Sequence, residues 1–164
     1  MSGCDAVTVE QEAGKLFRFI PWSKVSYEAL VTHTGALAGN TEVDRTLYGL
    51  TCHAVVGGVD AFVSHSWHDD ADDKWRKLSG WCQNFRGSEG TDPRLWLDKY
   101  CVDQNNLTTN LRCLPVFLSG CARLLVLWGP TYSSRLWFGC CEDGFCKIGF
   151  SVGPYWVKSN YLVN

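Results

Sequence analysis

The chain has 164 residues, 15 Lys and Arg against 17 Asp and Glu, and a net charge of −2. That length suits one domain, and the 46% hydrophobic and 20% charged fractions exclude wholesale disorder. With no basic excess to neutralise phosphates, general nucleic-acid binding is disfavoured.

The longest clean apolar run, Leu124 to Trp128, is far shorter than the about 20 residues of a membrane-spanning helix. Met1 to Ala6 lacks the basic and apolar regions of a signal peptide. Ser2 stands where N-myristoylation requires glycine. Nine cysteines cannot all pair within one chain. The expectation is therefore a cytoplasmic, reducing setting, with Cys82, Cys101, Cys113 and Cys121 as free, buried thiols. Cys140, Cys141 and Cys146 cluster without a matching distal pair, so no metal site is expected.

In chain order, residues 1–57 show weak periodicity and read as an N-terminal extension whose order the sequence leaves open. Glu10-Gln11-Glu12 opens one candidate helix and Val25 to Leu30 another, with loops at Thr32–Gly35 and Ala38–Asn40. After the turn signal Gly57-Gly58, Asp60 to Ser64 predicts a short buried strand. Trp75, Leu78, Trp81, Cys82 and Phe85 then recur at helical spacing. Asp69, Asp70, Asp72 and Asp73 open that helix, where negative charge complements the macrodipole. Gly87 is the expected C-terminal stop. Arg94 to Asp98 predicts a second strand. Leu107, Leu111, Leu114, Leu118 and Cys121 predict the buried face of a second helix, kinked or delayed by Pro115. Arg123 to Trp128 predicts a third strand, apolar on both faces and so central, ending at Gly129-Pro130.

Alternating strands and helices with long connections predict parallel strands in an α/β fold, closed as a doubly wound, flavodoxin-like parallel sheet. Ligands of such sheets bind beyond the carboxyl ends of the strands. Three polar segments follow the predicted strands: Ser64-His65-Ser66-Trp67, Asp98-Lys99-Tyr100, and Gly129 to Ser134. On this topology they share one rim. His65 and His68 with Asp69 and Asp70 invite a metal reading, but helix-opening acids explain the aspartates without one.

The segments Asp60–Trp67, Leu95–Gln104 and Leu124–Trp137 resemble, in order and spacing, the first strand, the second strand with its following loop, and the fourth-strand region of a TIR domain (Toll/interleukin-1 receptor homology). The type is that of microbial eukaryotes. The resemblance covers about residues 58–137. It sets a TIR-like domain at 58–142, followed by a divergent or truncated tail at 143–164, so the fold is expected to be incomplete at its C-terminal end.

The resemblance implies a signalling module that self-associates or binds other TIR-like domains. Its alternative implication is an NAD glycohydrolase cleaving the nicotinamide–ribose bond, with NAD as substrate rather than cofactor. There a glutamate stabilises the oxocarbenium-like ribose. The family pattern places it four residues after a tryptophan. Here Trp137 is followed by Phe138-Gly139-Cys140-Cys141-Glu142, so Glu142 falls one residue late, about 100° around a helix. The implied site is Glu142 as catalytic residue, with Ser64, His65, Ser66, Trp67, Asp98, Lys99, Tyr132 and Trp137 around the substrate.

Overall fold

Ala61–His65 (β3) is a short run with no solvent-facing residue, and all of it is buried. A strand of that kind is stable only where both sheet faces are covered. The computed structural model, which describes residues 4–31 and 42–132, places it between two parallel neighbours. On one side lies Arg94–Leu97 (β4), with Phe62 opposite Trp96. On the other lies Leu124–Leu127 (β5), with Val63 opposite Leu125. The sheet continues beyond β4 through Arg18–Pro21 (β1) and Cys52–His53 (β2), both antiparallel additions. The order is β2-β1-β4-β3-β5.

The result is a mixed α/β fold with three parallel strands. Two of the residue sets predicted as strands at 60–64 and 94–98 match β3 and β4 closely. The third strand is present, but not where expected. Among the described residues β5 pairs only with β3 and is the edge, while β3 is central. Leu125 and Leu127 are buried, whereas Leu124 and Val126 are half-buried. Among the described residues the apolar run thus belongs to an outer strand, not to the centre of the sheet.

Residues 4–31 and 42–57 do not stand apart from this sheet. They supply β1, β2 and three helices: Cys4–Leu16 (α1), Tyr27–Val31 (α2) and Glu42–Gly49 (α3). Glu10 to Glu12 lie inside α1 instead of opening it. Ala13, Phe17, Ile20 and Leu30 join the same core as β3 and β4. Arg18 anchors the junction, donating from Nε to Thr51 Oγ1 at 2.6 Å. The loops expected at Thr32–Gly35 and Ala38–Asn40 lie outside the described residues.

Ala71–Glu89 (α4) links β3 to β4 and turns Leu78, Trp81, Cys82 and Phe85 inward. It passes straight through Gly87 and stops at Gly90, whose φ of 72° only glycine adopts freely and whose N–H reaches Arg86 O. After β4, Asp98–Cys101 (α5) makes one turn. Leu107–Ser119 (α6) then returns the chain to β5. The predicted face of α6 lies beside its most buried one: Leu107, Leu114, Leu118 and Cys121 are half-buried against the core and Leu111 is exposed, while Asn110, Cys113 and Phe117 are fully buried. Helix α6 packs between α1 and the sheet, and Phe117 meets Phe17 at 5.5 Å on one side and Trp96 at 5.9 Å on the other. That two-sided contact, set by tertiary packing, shifts the most buried line of the helix to one side of its leucine stripe. The helix continues through Pro115.

Cys82, Cys101 and Cys113 are buried free thiols, as expected, and Cys121 is half-buried. Burial pushes the Cys101 thiol up to about 12 and raises Cys82 and Cys121 as well. Their raised values mean the folded state holds these protons longer than the unfolded chain, so stability is full below about pH 9 and is lost as pH rises from there toward about 12. A pH series of urea unfolding is expected to show that decline, and thiol labelling of the native protein at neutral pH should spare Cys82 and Cys101. Val63, 2% exposed in the central strand, makes a sharper test. Val63→Asp buries an unpaired carboxylate and should cost more than about 3 kcal/mol, abolishing cooperative unfolding by circular dichroism.

Candidate functional site

The parallel strands end on the same side, and their polar continuations meet there. At the end of β3, the Ser64 hydroxyl shares a 2.8 Å hydrogen bond with Tyr132 OH. His65 Nε2 lies 3.2 Å from Asp98 Oδ1. The Ser66 hydroxyl shares a 2.6 Å bond with Thr131 Oγ1. Thus Ser64, His65, Ser66, Asp98 and Tyr132, drawn from three separate segments, form one cluster. Trp67 closes over it, edge-on to His65 at 4.5 Å. Lys74 and Lys99 place their ammonium groups 5.8 and 5.5 Å from the Trp67 ring. Seven of the nine site residues expected from the sequence are therefore together. The other two, Trp137 and Glu142, lie outside the described residues.

Three further residues build the cluster and were not singled out as site residues by sequence. Asp69, 5% exposed, is more than a helix-opening charge. Its Oδ1 accepts from the Thr131 backbone N–H at 2.8 Å and from Thr131 Oγ1 at 2.9 Å. This ties the loop after β5 to the loop after β3. Gly129 makes that approach possible, because a Cβ there would collide with the Asp69 carboxylate. A glycine that ends a strand and opens a rim segment is thus required by a contact about sixty residues away in sequence. Lys74 and Lys77 are also buried. Lys74 donates to Ser66 O at 3.0 Å, and Lys77 donates to Trp128 O at 2.7 Å and to Asp73 Oδ2 at 2.8 Å. These lysines extend the inward stripe of Leu78, Trp81 and Phe85 by one helical turn, so the spacing contained the signal.

Burial pulls the Lys74 ammonium below its ordinary range, against the opposing pull of Asp69, Asp98 and Asp70. The Asp73 carboxyl is held low, chiefly by its hydrogen bond from Lys77 and also by Arg76. The rim thus gathers lysines and aspartates, with Lys77 and Asp73 paired at 2.8 Å. Asp70 caps α4 by accepting from Asp73 N–H at 2.8 Å. Beneath the rim, Phe62, Val63, Ser64, His65, Trp96 and Asp98 line a crevice with about 10 Å³ open to the centre of a water molecule. Among the described residues no group of three or more His, Cys, Asp or Glu is placed to hold a metal ion, and no helix is long and apolar enough to cross a membrane.

No protein-family model, curated protein or solved structure matches this chain.

The Asp69–Gly129 contact is open to a direct test. Gly129→Ala should destabilise the fold by about 1–3 kcal/mol in urea titrations, as forced overpacking does. Adding Asp69→Ala removes the atoms it strikes, so the double variant should lose less than the sum of the singles.

Proposed function

We propose that this chain is a TIR-like, flavodoxin-type domain that acts as a signalling module through self-association or through binding another TIR-like domain. The reading rests on one observation: the first of the three parallel strands lies between the other two, with the three post-strand segments joined at their carboxyl ends. That is the strand order of a doubly wound sheet around its switch point. The edge position of β5 among the described residues supports association, since an edge strand keeps pairing groups on one side. Trp128, which follows it, is exposed.

The same rim serves the alternative reading, an NAD glycohydrolase with Glu142 as its carboxylate. The side-chain pairing weighs toward the module. Ser64, Ser66, His65 and Asp98 are engaged with one another and with Thr131 and Tyr132. A site that cleaves NAD must turn such groups to the substrate and hold the carboxylate to within about 1 Å.

Sedimentation of the full chain over a wide concentration range should show a dimer or larger species growing with concentration. A monomer throughout would overturn the association reading. Assay of free nicotinamide after incubation with NAD separates the two functions: no robust release is expected, and a robust release lost in Glu142→Ala would establish the enzyme instead.

A further inference from the structure

Three aromatic side chains from separate segments meet at the start of α4. Trp75, in the second turn of that helix, has Trp22 at 5.1 Å and Tyr27 edge-on at 5.8 Å. Trp22 follows β1, and Tyr27 opens α2. Trp22 and Trp75 rest on the core but are only half-buried, and Tyr27 is 37% exposed. Tryptophan and tyrosine placed in this way are the side chains that most often anchor protein contacts.

The charge around the cluster is negative. Tyr27 OH donates to Asp72 Oδ1. Its proton is held above the ordinary tyrosine range, first by that bond, then by partial burial and by the charges of Asp72, Asp70 and Glu28. The cations close by in sequence are engaged elsewhere. Arg76 and Lys77 pair with Asp73, Lys74 turns inward to Ser66 O, and Lys24 reaches Leu50 O. Other rings of this chain do take a cation, as Tyr48 takes Arg18 at 4.9 Å and Phe85 takes Arg123 at 5.4 Å. Among the described residues no cation stands over Trp22, Tyr27 or Trp75, and no ion pair reaches Asp72. Ring faces attract cations, and a carboxylate beside them adds to that pull. A guanidinium answers both features, because it is planar enough to stack on an indole and carries parallel N–H donors for a carboxylate.

We propose that the Trp22–Tyr27–Trp75 face, with Asp72 at its margin, is an interaction surface for a partner protein that presents an arginine, whose guanidinium lies against the rings and donates to Asp72. This deepens, and rests on, the reading of the chain as a domain that binds another protein. Two of the three rings come from residues before 58, which the TIR resemblance does not cover. The surface is therefore a property of this chain's own N-terminal part, fastened to α4 by Trp75.

Nuclear magnetic resonance of the full, ¹⁵N-labelled chain titrated with N-acetyl-arginine amide tests it. The indole N–H signals of Trp22 and Trp75 and the amide of Asp72 should move together and saturate. The neutral citrulline analogue, equal in shape, should move them far less. Asp72→Asn changes one exposed side chain and should weaken the response about two- to fivefold, the range of one exposed charge contact. Glu89→Gln, at the other end of the same helix, should leave it unchanged. Absence of saturable shifts, an equal response to citrulline, or an undiminished response in Asp72→Asn overturns the proposal. Trp75→Leu should abolish the response, and a full response in that variant overturns the role of the rings; should it not fold, Asp72→Asn and the citrulline comparison decide. The two readings fail separately: a monomer in sedimentation counts against self-association, whereas a missing arginine response counts against this surface.

Discussion

A strand buried on both faces has nowhere to put a polar side chain except at its ends, and β3 is such a strand. Its interior residues are apolar, and its polar residues collect at the carboxyl end, where Ser64, His65 and Ser66 remain largely shielded from water. A buried hydroxyl or imidazole without a partner is costly, by about 1–3 kcal/mol for each group. The partners must come from the neighbouring parallel strands, because those strands end at the same level. Asp98 follows β4, and Thr131 and Tyr132 follow β5. The rim is therefore a consequence of the sheet's parallel registration before it is anything functional.

Charge follows the same logic. Lys74, Lys77 and Lys99 are buried beside Asp69, Asp73 and Asp98, and burying either sign alone would be prohibitive. Each lysine spends its stem on apolar packing and its ammonium on a carbonyl, a carboxylate or the Trp67 face. The loops after β3 and β5 are joined through Asp69 and Thr131, with Gly129 giving the space. Removing one member of such a set leaves its partners exposed to the full cost of burial, which makes the rim cooperative rather than a sum of separate contacts.

This has a bearing on function. A rim whose side chains are largely engaged with one another presents a fixed surface, which is what the proposed recognition of another folded domain calls for. The N-terminal strands β1 and β2 reinforce this by extending the sheet past β4 in antiparallel fashion, so β4 is not left as an edge.

Much of this was legible in the residues alone. Apolar runs bounded by Gly and Pro marked the parallel strands, and helical spacing marked α4, because those signals are local and repeat within a few residues. The convergence of Ser64, Asp98 and Tyr132 followed from parallel topology without any side-chain detail. Other features are invisible locally. The outer place of β5 among the described residues, the seating of α6 on Phe117, and the entry of residues 18–21 into the sheet depend on which distant surfaces compete for the same apolar area. The burial of Asp69 against Gly129 depends on two loops about sixty residues apart meeting at one point. Sequence determined which segments between residues 60 and 128 form the parallel strands and their connecting helices, and where polarity gathers along the chain. Only the tertiary structure decided which of those polar groups face one another, because a hydrogen bond between distant residues is set by packing and not by spacing.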